Sequence, residues 1–207
     1  MSGFLQSNRP PLILASGSKV RARLLEAAGL AFIVEPPGLD EGAMRDAVSG
    51  EKKLDPQDVA EVLARAKAEA VSDLAPGAFV IGADQVLALG DRILSKPDGM
   101  EAARKDLLDL SGKSHTLHTA VALARGGECV WTHSEASAMI MRKLSPAFIG
   151  RYLADAGEEV LSSVGAYQVE SIGIQLFDKI DGDYFSILGL PLLPLLGALR
   201  REGAIDS

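Results

Sequence analysis

The 207-residue chain has one cysteine, Cys129, and three histidines, His115, His118 and His133. A single thiol excludes an internal disulfide and any cage of cysteine ligands. Three histidines without an HExxH spacing leave little for a zinc centre. Positive charge is also in deficit: 21 Lys and Arg face 28 Asp and Glu, for a formal net charge of −7. That balance argues against non-specific binding to nucleic acid or to an anionic membrane surface. No apolar run reaches the roughly 18 residues of a membrane span, and the N-terminal apolar patch is too short for a signal-peptide core. Repeats and low-complexity tracts are absent. The expectation is a soluble cytoplasmic protein whose metal, if it uses one, is held by carboxylates, which favours Mg2+ or Mn2+.

Hydrophobic residues make up 47% of the chain and charged residues 24%, a globular balance that can fill a core. The first element is the buried-strand run Leu12-Ile13-Leu14-Ala15. A helix follows, with Ser18 as N-cap, Val20, Leu24, Leu25 and Ala28 on one face, and Gly29 as its stop. A strand over 31–35 leads into a polar stretch, 38–55, without clear period. Asp55-Pro56 then opens a helix as N-cap and first residue, with Val59, Val62, Leu63, Ala66 and Ala70 as the expected buried stripe. The apolar strand 79–83 runs directly into Asp84, and Gly90-Asp91 reads as a hairpin turn. Asp98 is the expected cap of a helix closed by Ser111-Gly112. Strands are expected over 115–124 and 135–144, a helix from Ser145-Pro146 to Leu153, strand-like pieces over 173–180 and 185–188, and a last helix over 192–201. Alternating strands and helices predict an α/β fold: a mixed central β-sheet flanked by helices, with two lobes around a cleft. Residues 1–207 read as a single domain with 1–10 as a tail.

Chemistry concentrates at a few points. Ser16-Gly17-Ser18 joins a buried strand to a helix start. It reads either as a plain serine cap or as an anion cradle made by free N–H groups, two hydroxyls and a permissive glycine. Lys19, Arg21 and Arg23 lie in the first helical turns, where the dipole disfavours cations, and an anion among them would account for that. Asp84 ends an apolar strand, where ligands gather in open α/β sheets; the alternative is a turn aspartate capping an N–H. Lys67 falls late in the helix that starts at Pro56, and Lys96-Pro97 follows the hairpin. Asp40-Glu41 in the long loop is a carboxylate pair able to hold a hard cation. Together these residues describe a triphosphate site.

In this order the motifs resemble the Maf family of nucleoside triphosphate pyrophosphatases, the septum-formation inhibitor-like proteins, from about Leu12 to Gly203. The family's opening LASxSPRR appears as Leu14-Ala15-Ser16-Gly17-Ser18-Lys19-Val20-Arg21, and its LAxxKA lysine as Lys67. The segments Gly82-Ala83-Asp84, Lys96-Pro97, Ser111-Gly112-Lys113-Ser114-His115, Gly182-Asp183-Tyr184 and Gly189-Leu190-Pro191-Leu192 follow. The resemblance implies hydrolysis between the α- and β-phosphates with Mg2+ or Mn2+ as cofactor. It implies Asp84, Glu41, Lys67 and Lys96 as catalytic residues, with Asp84 and Glu41 holding the metal. Ser16, Ser18 and Arg21 would hold phosphate.

The family divides by base. Gln85, after the aspartate, matches the 7-methyl-GTP type, and Glu170 stands where the dTTP/UTP type has Gln. A carboxylate accepts both donors on the guanine edge, whereas an amide suits the mixed edge of uracil or thymine. Val20 stands where the two types place Trp or Arg, and Lys19 replaces the family's Pro. The expected substrate is therefore 7-methyl-GTP or another modified nucleotide. The alternatives are a dTTP/UTP pyrophosphatase of the same family, or a non-catalytic nucleotide-binding regulator of cell division. A homodimer is the default expectation for assembly.

Overall fold

The computed structural model describes residues 5–6, 9–39, 42, 44 and 55–207. The carboxylate pair Asp40-Glu41 lies outside the described residues, as does most of the loop that carries it. Among the described residues seven strands form one sheet. They are β1 (Leu12–Ala15), β2 (Ile33–Val34), β3 (Phe79–Leu89), β4 (Arg92–Leu94), β5 (Ser114–Arg125), β6 (Glu128–Met141) and β7 (Phe177–Asp181). Their order is β2-β1-β3-β5-β6-β7, with β4 paired to β3. Pairing is parallel between β1 and both β2 and β3, and antiparallel for β3/β4 and β6/β7. The sheet is mixed, as expected. The α-helices whose bounds lie among the described residues are α1 (Lys19–Ala27), α2 (Pro56–Leu74), α3 (Met100–Leu110), α4 (Pro146–Ala156), α5 (Tyr184–Ile187) and α6 (Leu192–Arg201). Among the described residues no helix is long and apolar enough to cross a membrane.

The chain divides into two compact units. One comprises residues 1–84, 119–135 and 189–207; the other comprises 85–118 and 136–188. The first unit holds an apolar cluster of Ile13 and Ala15 from β1, Val80 from β3, Val71 from α2, and Ala78. The second holds a larger core that includes Leu87, Leu107, Leu117, Met139, Ile149, Tyr152 and Leu176.

Local signals place most ends. Ser18 caps α1, its hydroxyl accepting from the Arg21 N–H, and Asp55 caps α2 by accepting from the Gln57 N–H. Gly29 follows α1 with φ +77°, the left-handed conformation that ends helices. Four elements differ from the sequence expectation. Helix α3 begins after Gly99 without a side-chain cap, so Asp98 does not cap it. Strand β6 starts at Glu128, because Gly126 and Gly127 (φ +61° and +83°) form a two-residue hairpin turn directly after β5. Residues 185–188 are not a strand: Asp183 accepts from the Ser186 N–H and starts the short helix α5. Residues 172–176 form a 3-10 turn, and only Phe177–Asp181 is extended.

The second unit also buries His115 at 2% exposure, its Nε2 2.8 Å from the Tyr167 hydroxyl and its Nδ1 without a hydrogen-bond partner. Burial pushes the imidazole down to about 4. The unfolded chain takes this proton near its ordinary value of about 6.5, and the folded chain does not until about 4. Stability contributed by the neutral ring is therefore complete above the unfolded value and is lost as pH falls through that window, by about 3 kcal/mol in total. Urea titrations at falling pH should show this loss, and His115→Gln should flatten it. An equal slope in both proteins would rule out His115 as the source.

Candidate active site

The site is built on helix α2 and on the part of strand β3, up to Asp84, that belongs to the first unit. Parallel pairing of β1 with β3 ends at Ala15 opposite Gly82. Asp84 thus lies two residues beyond the carboxyl end of its neighbour β1, while β3 itself continues to Leu89. The expectation of Asp84 at the end of its own strand is corrected accordingly: Asp84 is in mid-strand, and it is the neighbouring strand that stops.

Residues two apart on a strand share a face, so Gly82 and Asp84 face the same way. Helix α2 packs on that face at very close range. A Cβ built on Gly82 would lie 2.3 Å from the Ala64 carbonyl oxygen and 2.7 Å from the Ala68 nitrogen. Small residues at Ala60, Ala64 and Ala68, spaced four apart, permit the approach, and all three are buried. Of the expected stripe, Val59 and Leu63 are fully buried, and Ala66 and Ala70 are half-buried. Val62 is 41% exposed, whereas Lys67 is 4% exposed. Lys67, between the two alanines that meet Gly82, is delivered to the aspartate. Its Nζ donates to Asp84 Oδ1 at 2.7 Å, with both side chains about one-twentieth exposed.

A buried ion pair of this kind persists because each charge compensates the other. Asp84 Oδ2, equally buried, has no hydrogen-bond partner among the described residues. A buried carboxylate oxygen without a hydrogen bond is costly, and it is the donor type that a hard divalent cation or a polarised water takes. Among the described residues no group of three or more His, Cys, Asp or Glu could hold a metal. Mg2+, however, commonly binds through one or two carboxylates plus substrate phosphates. The chemistry of Asp84 fits.

The second cluster of this unit surrounds the start of α1. Ser16 is 6% exposed; its hydroxyl oxygen accepts from Arg21 Nη1 at 3.0 Å and from the Ser18 N–H at 3.3 Å. Arg21 Nε donates to the Gly189 carbonyl at 2.7 Å. Ser18, the helix cap, accepts from the Arg21 N–H at 3.4 Å. Val20 is half-buried in the first turn, and Lys19 and Arg23 are exposed. Ser16, Ser18 and Arg21 are thus one hydrogen-bonded cluster at the amino end of α1, where the helix dipole and free N–H groups favour an anion.

The remaining candidates lie in the second unit. Gln85 donates through Nε2 to the Ser186 and Ile187 carbonyls, each at 3.1 Å, which ties it to the last residues of α5. Lys96 is exposed in the loop after β4, and the adjoining Pro97 is buried. Glu170 is exposed in a turn. Residues 164–167 before it are buried, and burial stops there. The chain turns outward after Tyr167, so Glu170 is a solvent-facing carboxylate. Sequence reasoning missed the part played by Gly82 and that of the Gly189 carbonyl. A glycine inside an apolar strand signals close backbone approach, but nothing local marks an acceptor 168 residues from its donor.

The sequence model of the family described as Maf-like protein matches residues 11–202. A "7-methyl-GTP pyrophosphatase" of Brucella suis is 56% identical over 196 residues, covering 95% of this chain and 98% of that relative. A protein of the same name from Mesorhizobium japonicum is 53% identical with the same coverage. A "nucleoside triphosphate pyrophosphatase" of Bradyrhizobium diazoefficiens is 49% identical over 201 residues, covering 97% of this chain and 98% of the relative.

Proposed function

The chain belongs to the Maf family, and from that premise we propose that it hydrolyses 7-methyl-GTP to 7-methyl-GMP and pyrophosphate. The observation that carries the catalytic part is the buried Asp84, with Lys67 on one oxygen and, among the described residues, no hydrogen-bond partner on the other. Release of pyrophosphate from a triphosphate requires breaking the α–β anhydride; in this reading the nucleophilic water attacks the α-phosphorus and the α–β bridging oxygen leaves with the pyrophosphate. Asp84 Oδ2 is the proton acceptor and orienting group for that water. Lys67 fixes the carboxylate through Oδ1, and its ammonium offsets charge that builds on the phosphate oxygens. Ser16, Ser18 and the amino end of α1 bind phosphate oxygens, with the Arg21 guanidinium supplying charge and paired donors. Lys96 adds a cation to the phosphates.

Mg2+ or Mn2+ is the proposed cofactor. Asp84 would hold it together with Glu41, which the sequence resemblance supplies. Bound there, the cation would neutralise phosphate charge and make bound water more acidic.

Glu170 is the proposed guanine reader, its two oxygens accepting from N1–H and the exocyclic amine. Exposure leaves it accessible to the base. Gln85 acts in this reading through the main chain of α5. The general name of the Bradyrhizobium relative favours a second, broader reading: a house-cleaning enzyme acting on several modified nucleotides with the same machinery. Pyrophosphate release from 7-methyl-GTP, GTP, UTP and dTTP separates the two. The expected ranking places 7-methyl-GTP first, and Glu170→Gln should lower its kcat/KM by about tenfold to a hundredfold relative to UTP. An unchanged ranking in that variant would remove Glu170 from base recognition. Equal rates on all four substrates would favour the broader reading.

A further inference from the structure

We propose that Gly189 is a positioning residue for phosphate binding: its carbonyl and its lack of a side chain together seat the Arg21 guanidinium. This rests on the reading of Arg21 as a phosphate ligand. The Gly189-Leu190-Pro191 motif is otherwise without a role in the site.

Three observations carry it. The Gly189 carbonyl accepts from Arg21 Nε at 2.7 Å, a short bond to a charged donor. Gly189 has φ +97°, a conformation that costs glycine little and other residues much. A Cβ on Gly189 would lie 3.3 Å from Arg21 Nε and 3.5 Å from Nη2, so the guanidinium packs against the bare α-carbon. The carbonyl is itself well fixed. The next residue, Leu190, is fully buried, Leu192 is 5% exposed, and the Pro191 carbonyl accepts from the Leu195 N–H in the first turn of α6.

A guanidinium on a short helix can sample many rotamers, and ordering it at the moment of binding weakens the complex. With Nε held by Gly189 and Nη1 held by Ser16, the plane of the group is set in advance. A planar fork that is already oriented is what paired recognition of a phosphate requires. Gly189 acts through Arg21 and touches no substrate.

The test is a double-mutant cycle in kcat and KM for 7-methyl-GTP, using the wild type, Gly189→Ala, Arg21→Met and the double variant, with folding checked by thermal melting. Gly189→Ala should raise KM by about tenfold with kcat within about threefold. In the Arg21→Met background the same change should add less than about twofold. Gly189→Asn, which tolerates positive φ better than Ala, carries the same expectation and replaces Gly189→Ala if that variant does not fold. A KM unchanged in the glycine variant would overturn the proposal. Multiplicative effects in the double variant would overturn it too, while leaving Arg21 as a phosphate ligand. A wild-type KM in Arg21→Met alone would overturn the reading of Arg21, and the role of Gly189 with it.

Discussion

Asp84→Asn is expected to lower kcat by roughly a thousandfold. The amide keeps the shape of the carboxylate and can still accept from Lys67, but it is a far weaker base and a far weaker ligand for a cation. The substitution also has a structural cost. Lys67 Nζ is buried 2.7 Å from the carboxylate, and a neutral side chain in place of Asp84 removes that negative charge from beside a buried ammonium, which destabilises by about 3 kcal/mol. The two effects are separable. Pyrophosphate release is measured well below the lowered melting midpoint, with the folded fraction established by near-ultraviolet circular dichroism. Turnover within about tenfold of wild type in the folded variant would remove Asp84 from the chemistry.

Gly82→Ala should be nearly as damaging, although it changes no reacting group. Its Cβ would meet the Ala64 carbonyl at 2.3 Å and the Ala68 nitrogen at 2.7 Å. Both are backbone atoms of α2 and cannot rotate aside, so the helix must lift from the strand. Overpacking of this severity costs about 3 kcal/mol. Lys67 lies between those two contact points, so the lift also draws it from Asp84. Activity should therefore fall by more than the unfolded fraction explains. Gly77→Ala is the control: a Cβ there meets nothing within 4 Å, so the change should stay within about 0.5 kcal/mol. Urea unfolding with parallel assays checks both variants. A Gly82→Ala protein as stable and active as Gly77→Ala would show that the close approach of α2 does not hold the site together.

Most helix starts were legible in the sequence because their determining signal is local. Ser18, Asp55-Pro56 and Ser145-Pro146 mark helix starts because the side chain or ring acts on backbone groups within three residues. The stripe of α2 holds at Val59 and Leu63 but fails at Val62, because bulk is a poor guide where a helix also packs through its small residues: Ala60, Ala64 and Ala68 are buried while Val62 faces out. Residues 185–188 look extended by composition, yet Asp183 captures the Ser186 N–H and makes a turn of helix. The site was legible as a set of charges and glycines, but not as a geometry. Lys67 carried no sign that it would be buried, since its burial depends on Gly82, fifteen positions further on. Arg21 showed no link to Gly189, because that contact is made only when the two ends of the chain fold together. Glu41 lies outside the described residues, and its part in the account rests on resemblance.

The central claim is cleavage of 7-methyl-GTP between its α- and β-phosphates by water. It is tested most directly by running the reaction in 18O-labelled water with Mg2+ and weighing the products by mass spectrometry. The account predicts 7-methyl-GMP carrying one labelled oxygen, with unlabelled pyrophosphate. Labelled orthophosphate with 7-methyl-GDP, label in the pyrophosphate, or no turnover by folded protein would contradict it.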